Sequence, residues 1–487
     1  MRRLALAAAA ALAACSVELE GAPCTTDQNC PDEQRCDGAG VQPGRCAACE
    51  SDPACSADGF ACVDGTTVRE CRTNAGSCRY ARTISCGALS CLGAEPNAAC
   101  RCPPNSGAEF AADALQGSAL GAPFFPSGDS SPSSPPQCRF RSLGDALAAA
   151  ATYAGSPPAR TATARAVGRS GGTMVFSGEQ FPLQVKPGVT LTTNDVPPAA
   201  ASYVVDLDNA AQVTAALLVE EDATLSGFLV RPSAAGGVGV GVEVACAAPG
   251  TDRVRLSSVA VDGKGGLGSA VVARGVAVTG PCSVDLSDVR VESVAGAGVH
   301  LASTGMADGF PVLSLLRTTV SGAGDTGIQV RLDATPLLRP SLSVVRSELT
   351  SNTGAQYGAG LRRAGGVLFY GTPPSSLTFH SNRVHGNSGD QVVVYSGSSW
   401  DLKGGTTLAA CGATSNVFAC YDTGAVGLGL ASAGTVDARF NSWANEPPTA
   451  GMDYVVAAGG SVNAVGAGSD VCPAVPVPPA SCPLPPP

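Results

Sequence analysis

Asp262 and Glu292 each stand six residues after a leucine, Leu256 and Leu286. If the two leucines hold equivalent places in stacked turns of chain, the carboxylates lie on neighbouring turns within reach of each other. Two close carboxylates split their proton affinities, so one can act as acid while the other acts as base. The same pair can hold calcium. Calcium is the one cofactor such a pair would take, and nothing else in the sequence asks for a cofactor. Arg290 projects beside Glu292, and a surface ion pair is the simpler expectation there. The histidines His300, His380 and His385 have no metal-ligand spacing, and His380 reads as a structural residue at a corner. Cys46-Ala-Ala-Cys49 has no second ligand pair and no histidine nearby, so its cysteines read as disulfide partners rather than as a metal or redox site.

A second set is Arg331, Tyr370 and Tyr395. Each directly follows an apolar pair of period two, Ile328 with Val330, Val367 with Phe369, and Val392 with Val394. With the apolar pairs inward, the three residues point outward in one column. Aromatic faces suit the C–H faces of sugar rings, and a guanidinium suits a carboxylate or hydroxyl. The turn holding Val367 carries a ten-residue insertion near 352–363, and Trp400 follows the Tyr395 strand. Insertions on one face of a repeat array often form its binding site. The alternative is a tyrosine ladder that packs across strands and binds nothing.

Both columns depend on a repeat. Leu256, Leu286, Leu315, Val344 and Phe379 are spaced by 30, 29, 29 and 35 residues. Two residues before them stand Val254, Val284, Leu313, Leu342 and Leu377, and five after stand Val261, Val291, Val320, Leu349 and Val384. An earlier copy fits partly through Leu225 and Val230. Short strands with Gly and Asn turns at this period predict a parallel β-solenoid, with aliphatic columns inside and Asn/Ser turns stacked outside. The open ends of such a stack need caps. The stretch 142–153 predicts a helix with Ser142 as N-cap and Leu143, Ala146, Leu147 and Ala150 on one face, placed to cover the first turn.

Composition fits this reading. Charged residues are 14% of the 487, against ~25% in an ordinary domain. Acidic residues outnumber basic ones by 40 to 30, which argues against a nucleic-acid partner. Of 21 cysteines, 13 fall between Cys24 and Cys102, too dense for a conventional core, so 24–102 is expected to be a disulfide-stapled module. The Pro/Ser/Gly-rich 103–137 reads as a linker, 138–470 as the solenoid and 471–487 as a Pro-rich tail. Proximity pairs Cys246 with Cys282, Cys411 with Cys420 and Cys472 with Cys482.

The N-terminus opens with Met1-Arg2-Arg3 and an apolar run from Leu4 to Leu12, too short to span a bilayer that needs ~20 residues. Leu12-Ala13-Ala14-Cys15 resembles the lipobox of bacterial lipoproteins. That resemblance implies a signal peptide over 1–14, a tether over 15–23, lipidation of Cys15 and a membrane partner reached through the lipid. Ser16 in place of the Asp that retains such proteins at the inner membrane leans the expected location towards the outer membrane, on its surface or periplasmic side. The run from Cys24 to Cys36 resembles small Cys-rich modules of secreted proteins from predatory soil bacteria.

Phe140-Arg-Ser-Leu-Gly-Asp-Ala-Leu147 resembles the capping helix, and Asp325-Thr-Gly-Ile-Gln-Val330 the turn-then-strand phrase, of the right-handed parallel β-helix (pectin-lyase-like) superfamily. The resemblance covers roughly 140–465 and implies an all-β, right-handed parallel β-helix with an N-terminal capping helix. It does not choose a function, because the superfamily includes lyases, hydrolases, adhesins and surface proteins. The Gly-His-Gly and Arg-x-Lys motifs of its polygalacturonase-like members are absent here. The expectation is a surface-anchored lipoprotein whose β-helix serves as a binding or structural scaffold, with glycan as the ligand class. The alternative is a polysaccharide lyase or glycoside hydrolase on the same scaffold.

Two acyl chains bind a membrane stably where one does not. Cys15→Ala should therefore abolish incorporation of labelled fatty acid and release the protein from the membrane fraction. Continued partitioning of the variant with membranes would overturn the lipobox reading.

Overall fold

The computed structural model describes 109–114, 138–155, 161–167, 173–195, 202–208, 212–247, 253–303, 311–332, 339–356, 362–404, 415–419, 421, 424–445 and 447–464, together with short stretches between 23 and 101. The signal peptide, Cys15, Cys411, Cys420, Cys472 and Cys482 lie outside the described residues. No helix among the described residues is long and apolar enough to cross a membrane.

The chain divides into two compact units. In the N-terminal unit, Gly59–Asp64, Thr67–Thr73 and Arg79–Ser85 form an antiparallel three-stranded sheet. Gln34–Asp37 pairs with Arg45–Ala48, and Ser90–Leu92 with Ala99–Arg101. Cys36, Cys62 and Cys71 are disulfide-bonded. Val68 and Cys71 are buried, and little else among the described side chains of this unit is.

The second unit is an all-β, solenoid-like stack. Each coil gives one strand to each of three long sheets, as Val284–Ser287, Arg290–Glu292 and Val299–Ser303 do before Val312–Leu316 opens the next coil. Within each sheet, strands of successive coils pair in parallel. The first sheet runs from Cys138–Phe140, next to Glu109–Ala112, to Ser376–His380, the second from Met174–Phe176 to Ser442–Trp443, and the third from Leu183–Val185 to Tyr454–Val456. A shorter sheet of Ser399–Asp401, Thr435–Asp437 and Ser461–Asn463 belongs to the last coils.

The anchor column holds its expected register. Leu256, Leu286, Leu315, Val344 and Phe379 are successive strand partners. The column reaches further back than the repeat showed, through Leu225, Leu191 and Ala164 to Phe110. Every member is at most 3% exposed. Burial of each Leu or Val contributes ~1.5–3 kcal/mol, which is why one misplaced rung is costly.

Phe110 corrects the expected boundaries. The strand Glu109–Ala112 sits inside the stretch read as linker and pairs with Ala162–Ala166, so the stack begins before residue 138. One large residue followed by two alanines within Pro- and Ser-rich chain shows no periodicity, yet Phe110 packs against Phe140 and Tyr153 with ring centroids 6.4 and 6.0 Å apart. The helix Leu143–Ala154 lies against the early strands, capped by Ser142, whose hydroxyl accepts from the Asp145 amide at 3.0 Å. Leu143, Ala146, Leu147 and Ala150 form its buried face.

The corner between the first and second sheets corrects a second expectation. Ser258, Asp288, Arg317, Arg346 and Ser381 adopt left-handed backbone there, with φ from 51° to 58°. For non-glycine residues this conformation costs ~1–2 kcal/mol each. It is held because the amides of Ser258, Asp288 and Arg317 each donate to a carbonyl of the next coil at 3.0 Å. The residue after each points inward, and along the stack this column changes from Phe228, Val259 and Val289 to Thr318, Ser347, Asn382, Asn416 and Asn441. The asparagines are therefore not stacked outside: all three are at most 1% exposed. Asn382 Nδ2 donates to Asn416 Oδ1 at 2.9 Å, and Asn416 Nδ2 to Asn441 Oδ1 at 2.8 Å. The same oxygens accept from the backbone amides one coil earlier, Asn382 N at 3.1 Å and Asn416 N at 3.3 Å. A shorter ladder joins Asn352 to Asn387 at the next corner, at 2.8 Å.

The alternation of faces makes a sharp contrast. Leu315→Asp would bury an unpaired carboxylate, at a cost of several kcal/mol (~3 or more). Ser314, half-buried on the other face, is the strand partner of Asp285, and Ser314→Lys should change stability by no more than ~0.5 kcal/mol. Thermal melts that show equal loss for both changes would contradict the register.

Candidate functional site

The third sheet brings Arg331, Tyr370 and Tyr395 together as consecutive strand partners. The Tyr370 and Tyr395 rings stack with centroids 5.2 Å apart and planes 23° apart. The Arg331 guanidinium carbon stands 5.6 Å from the Tyr370 ring centre. Both faces of Tyr370 are thus occupied, by Arg331 on one side and by Tyr395 on the other. The strip is a cross-strand ladder through most of its length, and only Tyr395 keeps a face turned towards the following coil. That coil places Ala431 at this step, its amide bonded to the Val394 carbonyl at 2.9 Å. Among the described residues, that step carries a methyl group rather than a large side chain. Trp400 is not part of this surface. It points into the stack at 2% exposure, 5.0 Å from the Phe369 ring.

Below the strip lies a buried apolar patch of Ala364, Leu368 and Val393, with Tyr370 and Ala431 packed against it. The insertion folds as a short antiparallel pairing of Ala355–Gln356 with the strand Arg363–Gly371. Arg362, at its end, forms a bidentate ion pair with Asp390, whose side chain is 2% exposed. Arg362 also donates to the Gly424 carbonyl at 3.0 Å, and Asp390 accepts from the Val426 amide at 2.9 Å. A Cβ at Gly429 would fall 2.5 Å from Asp390 Oδ2, so glycine there leaves room for the pair. Burial pushes the Asp390 carboxyl up, and the Arg362 guanidinium opposes that shift.

Asp262 and Glu292 are strand partners, as the register required. Each has hydrogen-bond partners of its own. Asp262 Oδ1 accepts from the amides of Lys264 and Gly265, both at 3.0 Å, and so fixes its own turn. Glu292 accepts from Arg290 Nε at 2.7 Å in an exposed ion pair. No group of three or more metal-ligating side chains occurs among the described residues. His300 bonds Gln329 at 2.8 Å, His380 bonds Ser381 at 3.1 Å, and His385 meets Glu348 at 3.1 Å. Burial holds the His300 imidazole below its usual range. The expected pair Cys246–Cys282 is bonded, linking successive coils beyond the third sheet.

Sequence reasoning missed one polar site. Glu179, 5% exposed, turns its carboxylate onto the first turn of the helix. Oε1 accepts from the Leu143 amide at 2.7 Å and Oε2 from the Gly144 amide at 3.1 Å. It borders a groove of about 600 Å³ with Ser142, Asp145, Gln184 and Lys186 on its walls. The only trace of this contact in the sequence is a lone acidic residue in a turn. Its partners lie 36 and 35 residues earlier, and nothing local links them.

Burial raises the Glu179 carboxyl above the ordinary 4.5, against the two amides that lower it, while Asp145 and Asp208 add to the rise. The folded state therefore holds the proton more tightly than the unfolded state. The stabilisation from this group is present below pH 4.5 and is lost as pH rises through the raised value. Glu179→Gln removes that slope. In urea titrations, the stability of the wild type relative to the variant should fall between pH 4 and pH 7. A difference that does not change with pH would contradict the assignment.

Comparison of the chain with protein-family models, with curated proteins and with solved structures finds no match.

Proposed function

We propose that this chain is a surface-tethered binding protein, its β-stack a right-handed parallel β-helix of the pectin-lyase-like kind, presenting a glycan-binding face on the third sheet. Right-handed winding follows from the rule that parallel strands of one sheet are joined by right-handed crossovers in ~98% of cases. Tethering is supported by Leu12-Ala13-Ala14-Cys15, and the outer membrane as its proposed location by Ser16. Disulfides in the N-terminal unit accord with an oxidising compartment.

The observation that carries the ligand class is the end of the aromatic strip. Tyr395 offers one ring face above a step occupied by alanine, on a sheet made rigid by parallel pairing on both sides. A sugar ring can lay its C–H face there. Arg331, further along the same strip, supplies a hydrogen-bond donor to a second residue of an extended chain. The carboxylates Asp262 and Glu292, engaged with their own turn and with Arg290, favour binding over acid–base cleavage as the role of the stack.

A glycan array on the full chain, with parallel assays for new reducing ends and unsaturated products, tests this. The expected result is retention of one glycan class without product. For that class, Tyr395→Ala should weaken binding by about tenfold, ~1.4 kcal/mol, while Ser314→Lys on the first sheet leaves it unchanged. Product formation, or binding indifferent to Tyr395, would overturn the assignment.

A further inference from the structure

Tyr395 turns its second ring face towards the coil that carries Ala431, away from Arg331, which stands two coils back behind Tyr370. Two strand spacings are ~9.6 Å, so Arg331 lies at the far end of the strip from a ligand on that face. A second guanidinium is nearer. Gly429 is the strand partner of Val393 and precedes Ala431 by two residues. Leu428 and Leu430 on either side of it are buried in the stack, so position 429 opens on the outer face. The space of a side chain there is filled by the Arg362–Asp390 pair. A Cβ at Gly429 would fall 3.3 Å from Arg362 Cδ and 2.5 Å from Asp390 Oδ2. Arg362 thus lies across the outer face that carries Tyr395 and Ala431, one side-chain step of ~6.6 Å along the strand.

A guanidinium has five N–H groups. Arg362 Nε and Nη2 donate to the two oxygens of Asp390, and Nη2 also donates to the Gly424 carbonyl. No described residue accepts from Nη1. The Arg362 side chain is 27% exposed and that of Asp390 2%, so the exposed part of the pair belongs to the arginine. Its position is fixed before any ligand arrives, because Asp390 is itself held by the Val426 amide at 2.9 Å.

We infer that Arg362 is a ligand-contacting residue of the strip and that the ligand is an uncharged glycan, with the sugar stacked on the second face of Tyr395 accepting a hydrogen bond from Arg362 Nη1. The inference rests on the glycan-binding role proposed for the third sheet. Asp390 balances the charge of Arg362, so the pair offers a directed donor without a net positive field. A sugar hydroxyl can accept from it without bringing a charge beside the buried carboxylate. An acidic polymer gains no free cation at this step, and the chain as a whole carries a formal charge of −10, which repels it. A donor already held in place loses little freedom on binding.

The test measures binding of the full chain to immobilised pentasaccharides of glucose, mannose, xylose and N-acetylglucosamine, beside oligomers of galacturonate and glucuronate. The expected result is retention on at least one neutral series, with the uronate oligomers bound about tenfold more weakly. Arg362→Lys keeps a positive charge opposite Asp390 but loses the Nη1 edge, and should weaken that binding by about tenfold. If this variant does not fold, Arg362→Met combined with Asp390→Asn removes both charges, keeps an acceptor for the Val426 amide and should show the same loss. Binding that Tyr395→Ala abolishes but the Arg362 variants leave unchanged overturns this inference and leaves the glycan-binding face standing, as does a preference for uronates. Binding indifferent to Tyr395, or retention on no oligosaccharide, overturns both.

Discussion

Parallel pairing between successive coils is the constraint from which the rest of the second unit follows. Each strand must give its amides and carbonyls to the coil before and the coil after, because a buried backbone group left unpaired costs as much as a lost hydrogen bond. That requirement fixes register, and register fixes which side chains stack. The anchor column from Phe110 to Phe379, the Arg331–Tyr370–Tyr395 strip and the left-handed corner residues all result from one alignment of backbone. The corners obey it too: the amide of Asp288 reaches the Leu316 carbonyl although its own φ is 55°. The backbone strain is local, and the bonds that hold it belong to the whole stack.

Outer positions are freer, and the molecule uses them in several ways. Where coils carry opposite charges in line, they pair, as Arg317 does with Asp288 at 2.6 Å. That guanidinium holds the Asp288 carboxyl below the usual range. Both groups are well exposed, and such pairs contribute little to stability. Where rings follow one another, they stack. At the end of the insertion, Arg362 is fixed on the buried Asp390. This ion pair requires a glycine, Gly429, on the neighbouring coil.

The aliphatic repeat was legible in the sequence, as were the helix with its Ser142 cap and the Cys246–Cys282 pair, while most other features that occur once were not. The spacing from Leu256 to Phe379 gave register to the residue, and period two then placed Arg331, Tyr370 and Tyr395 on one face. Period two cannot say how rings lie, so the closing of both Tyr370 faces emerges only from the ring geometry. Phe110 was hidden because a single strand in Pro-rich chain has no rhythm. The asparagines were read outward because Asn is common in turns, and a turn residue that points inward has the same sequence signal. Glu179 was invisible because its hydrogen bonds close a distance of some 35 residues with no matching pattern at either end.

The asparagine corner gives the stack a direction. Asn382 and Asn416 each send one amide hydrogen to the oxygen of the asparagine in the later coil, while the oxygens of Asn416 and Asn441 face the earlier one and Asn441 closes the series by donating to the Leu402 and Ala438 carbonyls. Hydrogen bonds in series polarise one another, most strongly where water is excluded. A coil already in place therefore presents the next with an aligned donor at a fixed spot on its rim. A newly arriving coil finds that donor only in one register, since a shift of one residue would bring a side chain of the wrong face to it. Over the coils that carry Asn382 and Asn416 the corner thus works as a template, each specifying the alignment of the coil that follows.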